Sequence, residues 1–443
     1  MLKNRASNIP KNLSKKEQLP ILSNRNNNSM NYPETIDWLF QQFPAYHNLG
    51  AQAYNPGLKN IEELSSFFHN PEKELRFIHV GGTNGKGSVS NMLASILTES
   101  GEKVGLFTSP HLFDFTERIR INGATIDEQF VIEFCEKVRN HSWNIEPSFF
   151  EITWMMAIQY FRKHHCSIVV AEVGLGGRLD ATNIIQPLIS VITNIGLDHV
   201  NILGDTRAKI AFEKAGIIKP NIPVVLGEVD PETFPVFESV STELDAEIIL
   251  PQKDGFLPEG IIGYQVGNYH IVSAVCDHLE ANGFSCDQPT RESGIKNLKQ
   301  NTGFFGRMEV ISTSPLTIVD CAHNAEGIHA LFDSIKKWNK GTLHCIYGTS
   351  SDKDLDAILD EFPKDAQFYF TTFANPRSAS LEDLQEKTDS RVEKKQFFNS
   401  PVNALSKAQD SANKADTILI FGSFFLVHDF FEVFFQKGLA EKK

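Results

Sequence analysis

An apolar run, Arg76–Val80, leads straight into Gly81-Gly82-Thr83-Asn84-Gly85-Lys86-Gly87-Ser88 and then into a helical pattern. Glycines let a backbone wrap a phosphate chain, a helix N-terminus supplies N–H donors, and a lysine reaches the terminal phosphates. The segment reads as a phosphate-binding loop, with an ordinary glycine-rich turn as the competing reading. It departs from the strict Walker spacing: Val80 stands where the first glycine belongs, and Gly87 separates Lys86 from Ser88. Glu172 lies at the carboxyl end of the apolar run Ile168–Val173, where open α/β sheets place ligand groups, and a carboxylate there suits Mg²⁺. His199 follows Ile189–Ile195 and the turn Gly196-Leu197-Asp198; alone, it reads as a surface or core histidine. Lys214, on the expected helix Thr206–Ile218, reads by composition as a solvated lysine. Arg307 can clamp phosphates bidentately, and Asp320, at a strand end, can hold a ribose or orient another group. Gln265 and Asn268 precede the expected helix Tyr269–Ala281 and fit a helix cap, as does Asn324. Phe149 and Phe150 beside the apolar helix Ile152–Tyr160 read as core before they read as a stacking platform.

These residues sit between apolar runs of strand length that alternate with helical patterns: Arg76–Val80, Lys103–Phe107, Ile168–Val173, Ile189–Ile195 and Val224–Leu226. Such alternation predicts βαβ units and a mostly parallel sheet. A second series, Thr317–Asp320, Leu343–Tyr347, Gln367–Thr371 and Thr417–Phe421, predicts a separate, smaller α/β domain, with the polar stretch Arg291–Gly303 as the linker. The 443 residues are too many for one compact core. A net charge of −13, from 42 basic and 55 acidic residues, argues against nucleic acid and anionic lipid as partners, so an anionic ligand must be held locally. The six cysteines form no CxxC pair, which suggests neither a zinc site nor a disulfide framework. Ile418–Phe435 is strongly apolar, but His428, Asp429 and Glu432 interrupt it, so it reads as a strand and a helix and not as a membrane span. The first 29 residues hold seven asparagines, six Lys or Arg and no aromatic residue, a composition that predicts a disordered tail.

Gly82–Ser88 resembles the nucleotide loop of the Mur ligase superfamily, in the form of the folylpolyglutamate synthase and dihydrofolate synthase family. Thr108–Leu112, Glu172–Asn183, Leu197–His199, Glu213–Ile217, Gly306-Arg307, Asp320–Asn324 and Phe421–Phe424 agree with that resemblance in the expected order. The resemblance implies a P-loop-type, mostly parallel N-terminal ATPase domain over residues 31–300 and a Rossmann-like glutamate-ligase domain over 301–443, after a tail at 1–30. It implies ATP, Mg²⁺ at two sites and a monovalent cation as cofactors. The chain is then an ATP-dependent ligase adding L-glutamate to a pteroate or folate, a cytoplasmic monomer. By the same resemblance Thr83, Asn84, Gly85, Lys86, Gly87, Ser88, Asn268, Arg307 and Asp320 hold the nucleotide. Ser109, Glu172, His199 and a carbamylated Lys214 hold magnesium; Lys86, Lys214 and His323 are catalytic; Ser148, Leu179 and Asp180 meet the pterin substrate; and His323 and Asn324 face the amino acid. Two rivals are a cell-wall Mur-type amino-acid ligase and a regulatory ATPase. The folate-type Gly87 and the short lead before Arg76 argue against the first, and Lys214, His199, Arg307 and Asp320 argue against the second.

Overall fold

The computed structural model describes residues 30–43 and 56–436; the expected tail lies outside the described residues. The first sheet contains β1 (Phe77–Gly81), β2 (Val104–Phe107), β3 (Ile119–Ile121), β4 (Ala124–Thr125), β5 (Ile168–Glu172), β6 (Pro187–Ile192), β7 (Val224–Leu226) and β8 (Ile248–Ile249). Their order is β4-β3-β2-β5-β1-β6-β7-β8, with all pairs parallel except β2·β3 and β3·β4. β1 and β5 are buried at every position, which is why they read as largely apolar runs; the buried His79 within β1 is paired with Thr182 Oγ1 at 2.8 Å. One face packs against the helix Phe149–Lys163 through Trp154, Met155 and Ile158, and the other against the helix Lys86–Glu99 through Val89, Leu93 and Ile96. The chain leaves β1 between its neighbours β5 and β6, the kind of strand-end crevice where open α/β sheets bind ligands.

The second sheet contains β9 (Glu309–Thr313), β10 (Leu316–Val319), β11 (Leu343–Tyr347), β12 (Gln367–Thr371), β13 (Lys395–Phe398) and β14 (Thr417–Phe421). Its order is β13-β12-β11-β14-β10-β9, parallel except at the β9·β10 edge. Ile418–Phe435 resolves into β14 and the helix Phe424–Gln436. Among the described residues no helix is long and apolar enough to cross a membrane. All six cysteines are buried and free.

The expected linker is a docked structure. Its residues fall in the helices Gln288–Lys296 and Leu298–Thr302, which lie on the helix Lys86–Glu99. Glu99 explains the polar composition: it accepts hydrogen bonds from Ser293 Oγ (2.6 Å), Asn297 Nδ2 (2.9 Å) and Asn301 Nδ2 (2.7 Å). Gly294 permits the close approach, since a Cβ there would lie 2.6 Å from Ile96 Cα. The connection to the second sheet is therefore confined to a few residues after Thr302, where Gly303 (φ +66°) and Gly306 (φ +76°) take conformations open to glycine.

Candidate functional site

The phosphate loop is held by the end of β6. Thr83 N donates to Asn194 O (2.9 Å), Asn84 N to Asn194 Oδ1 (2.8 Å), and Thr193 Oγ1 to Asn84 O (2.5 Å). Gly82, at φ +137°, passes so close that a Cβ would fall 1.8 Å from Thr193 Oγ1. Lys86 opens the following helix and curls over its own loop, donating from Nζ to Gly82 O and Thr83 O at 3.1 Å each. Ser88 Oγ, 2% exposed, accepts from Gln265 Nε2 at 3.2 Å. The helix carrying Gln265 starts one turn earlier than expected, at Gln265 itself, because Tyr264 takes the N-cap position in a helical conformation without a capping side chain. Asn268 thus lies in the first turn, where its Nδ2 donates to Gln265 Oε1 (2.8 Å) and its amide lies against Gly85.

Glu172, at the end of β5, faces this loop; a Cβ on Gly87 would meet its carboxylate at 3.7 Å. A glycine between Lys86 and Ser88 thus keeps the space above Glu172 clear. Ser109 N donates to Glu172 Oε2 at 3.0 Å. Burial pushes the Glu172 carboxyl up, against the opposing pull of Lys86, the Ser109 N–H, Arg307 and Arg118. Lys214 is not the solvated lysine its composition suggests: it is 4% exposed, and its Nζ donates to Gly82 O at 2.8 Å. Burial, reinforced by Lys86, lowers its pKa to about 7. His199 sits at φ +53° ahead of the short helix Val200–Leu203, and enclosure in the cleft lowers its pKa to about 4.

Divalent ions held in nucleotide sites take one or two carboxylates, with hydroxyl, phosphate and water oxygens completing the shell. Glu172 with Ser109 and Ser88 beside the phosphate loop fits that donor chemistry. His199 with an unmodified Lys214 does not, since it offers nitrogen and a potential cation where a hard ion takes oxygen. Among the described residues no group of three or more His, Cys, Asp or Glu side chains is placed to hold a metal.

The second sheet brings its own groups to the same space. Asp320 is 1% exposed and accepts from Tyr264 Oη (2.5 Å), Met308 N (2.8 Å) and Ala322 N (2.7 Å). Arg307 stacks its guanidinium 4.6 Å from the Phe424 ring centroid and donates to Gly306 O. His323 Nδ1 hydrogen-bonds Cys321 O (3.0 Å), which leaves its Nε2 3.7 Å from Asp198 Oδ2. Asn324 caps the helix Ala325–Lys336, as its type suggested, and also reaches Asn84 and Asp198.

At the far end, Ser148 and Glu151 form a reciprocal cap on the helix Phe149–Lys163. Phe149 stacks on Phe40 in the core, with ring centroids 4.7 Å apart. Phe150 packs on Phe107 and crowds Gly174. Asp180 accepts from Thr182 N (3.0 Å), Thr182 Oγ1 and Leu175 N (2.8 Å), so it shapes the glycine turn after Glu172. Buried Arg118 donates to His111 Nδ1 at 2.8 Å and lines the same end.

Ser148, Leu179, Asp180, Ser109, Glu172, His199, Lys214, Asn268, Arg307, Asp320 and His323 all line one cavity of about 830 Å³ with the phosphate loop. Sequence reasoning gave no role to Asp198, Lys353, Tyr264 or Arg118. Asp198 accepts from Lys353 Nζ at 2.7 Å across 155 residues of chain, and only the packing of the two sheets reveals that pair. His323, His199 and Lys353 hold the Asp198 carboxyl well below the usual carboxylate range although burial pushes the other way.

Two family models match the chain: the Mur ligase middle domain over residues 80–226 and the Mur ligase glutamate ligase domain over residues 306–424. The chain is 30% identical over 405 residues to the dihydrofolate synthase/folylpolyglutamate synthase of Bacillus subtilis, covering 84% of this chain and 94% of that protein. Its fold is similar to Escherichia coli FolC in complex with DHPP and ADP, with TM-score 0.78, 28% identity, and coverage of 93% and 99%. It is also similar to a bifunctional folylpolyglutamate synthase/dihydrofolate synthase with Mn, AMPPNP and L-glutamate bound, with TM-score 0.77, 27% identity, and coverage of 93% and 100%.

Proposed function

The chain belongs to the dihydrofolate synthase/folylpolyglutamate synthase family of Mur ligases, and we propose that it is an ATP-dependent ligase adding L-glutamate to dihydropteroate, to reduced folate (poly)glutamates, or to both. The observation that carries this reading is the single cavity with the phosphate loop and Glu172 on one side and Arg307, Asp320 and His323 on the other.

The γ-phosphoryl group of ATP passes to the acceptor carboxylate, giving ADP and an acyl phosphate. The glutamate amine then attacks the acyl carbon, phosphate leaves, and the amide forms. Catalysis of such transfers is positioning and charge neutralisation. Lys86 and the loop N–H groups of Gly85–Ser88 hold the phosphates, those of Thr83 and Asn84 being taken by Asn194, and Arg307 meets the phosphates from the second domain. Divalent cations, when bound, neutralise phosphate charge. We assign one to Glu172 and Ser109 and a second to His199 with carbamylated Lys214, with a monovalent cation as a further cofactor. Asn268 and Asp320 take the nucleoside end. Ser148, Leu179 and Asp180 border the acceptor, and His323 borders glutamate. Residues 31–300 form the ATP-binding unit and 301–443 the glutamate-ligase unit of a cytoplasmic monomer.

The test is ADP release by the purified protein with ATP and glutamate, supplied in separate reactions with dihydropteroate and tetrahydrofolate. Release that requires glutamate and one of the acceptors is expected. Hydrolysis indifferent to both would return the chain to the regulatory ATPase class.

A further inference from the structure

Asn324 has more partners than a helix cap needs. It follows β10 in the second domain, is 4% exposed, and accepts from Gly327 N at 2.9 Å through Oδ1. That bond alone would cap the helix Ala325–Lys336. The same side chain also exchanges two hydrogen bonds with Asn84 of the phosphate loop, Asn84 Nδ2 to Asn324 Oδ1 at 3.2 Å and Asn324 Nδ2 to Asn84 Oδ1 at 3.1 Å. Its remaining amide hydrogen goes to Asp198 Oδ2 at 3.1 Å. Both hydrogens and both lone pairs of the amide are thereby used, which leaves one orientation for the group. Its partners lie on two loops of the first domain, one at the end of β1 and one beyond β6. Asn84 is fixed in turn through its backbone to Thr193 and Asn194.

The reaction needs that registration. ATP is bound from the first domain, and the amine arrives beside His323, one residue before Asn324. An acyl phosphate whose amine is misplaced by an ångström loses much of its advantage over attack by water. We infer that Asn324 is a positioning residue that registers the glutamate-ligase domain on the phosphate loop, so that the acyl phosphate is taken by the amine and not by water. The inference rests on the ligase reading.

Two replacements keep the cap and break the registration. Serine at 324 caps a helix but is too short to span to Asn84. Aspartate keeps the length and the cap, yet it replaces the donating amide with a carboxylate facing Asp198, and the like charges repel. The full-length protein is given ATP, glutamate and the accepted pteroate or folate, and ADP and glutamylated product are measured in the same reaction. Wild type should form them in equal amounts. Asn324→Ser and Asn324→Asp should form about tenfold more ADP than product. A purely structural residue would lower both products together. An ADP-to-product ratio that stays at one in both variants, whether the rates hold or fall in parallel, overturns the inference and leaves the ligase intact. A wild-type protein that makes no glutamylated product overturns the ligase reading and this inference with it.

Discussion

The Asp198–Lys353 pair joins the two domains at 2.7 Å, and each side chain is only 12% exposed. Exposed pairs are worth about 0–1 kcal/mol, whereas removing one member of a fully buried pair costs roughly 3–5 kcal/mol. Lys353→Met leaves Asp198 with the Asn324 amide at 3.1 Å and His323 at 3.7 Å. The carboxylate is then under-compensated and not abandoned, which puts the cost between the two limits, at about 2 kcal/mol. Asp198→Asn strands the ammonium and should cost a similar amount. The double variant removes both charges, so its loss should fall short of the sum of the singles by about 1–2 kcal/mol. Denaturant unfolding of the four proteins, followed by tryptophan fluorescence and by nucleotide binding, measures that shortfall. The pair is mostly shielded from solvent, so raising the salt to about 0.5 M should remove only a small part of it. Additive losses, or a Lys353→Met protein indistinguishable from wild type, would refute the claim that this contact holds the domains together.

Two further outcomes follow from buried groups. An amine that ionises near pH 7 is about half neutral there, roughly a thousandfold more of the form that adds CO₂ than an exposed lysine has; labelled bicarbonate should therefore give a carbamate carbon signal that Lys214→Ala lacks. Lys214→Ala and Lys214→Arg should both be nearly inactive, with acetate partly restoring only the first, and a fully active Lys214→Arg enzyme would count against the carbamate. Glu99→Ala, which deletes the acceptor of three side-chain hydrogen bonds, should cost about 1–3 kcal/mol at neutral pH. Those bonds hold the Glu99 carboxyl below its ordinary pKa. The stability they confer is complete above the ordinary carboxylate pKa and is lost as pH falls through the lower folded value, so variant and wild type should converge in acid. A gap that persists unchanged in acid would assign the effect to packing.

What could be read from sequence alone follows from burial. β1, β5, β11 and β14 are buried at every position and appear as apolar runs. β4 has both of its residues exposed, β8 is two half-buried residues and β13 is half-buried throughout; none contrasts enough with its flanks to be read as a strand. The phosphate loop was legible because glycine spacing is local chemistry. The docked segment at 291–303 was misread because its asparagines and serine point to Glu99, about 200 residues earlier, and polar residues with a distant partner resemble polar residues facing water. The burial of Lys214 against the loop shows only in the structure, since a lysine on a helix carries no sign of which face the helix buries.

The two lysines at the phosphate loop show how a chain of net charge −13 prepares a place for an anion. Lys86 and Lys214 both donate to the same carbonyl oxygen, Gly82 O, at 3.1 and 2.8 Å. Two ammonium groups on one oxygen repel strongly where water is scarce. Lys86 is partly open to the cavity, while Lys214 is enclosed, and burial with Lys86 nearby lowers the Lys214 pKa to about 7. The loop thus pairs Lys86, facing the space for phosphate, with an amine behind it whose charge burial has weakened. Converting that amine to a carbamate would replace the repulsion by attraction to Lys86 and supply the oxygen donors that a hard divalent ion takes. The burial that lowers the pKa of a free lysine at this position raises the neutral fraction that can add CO₂.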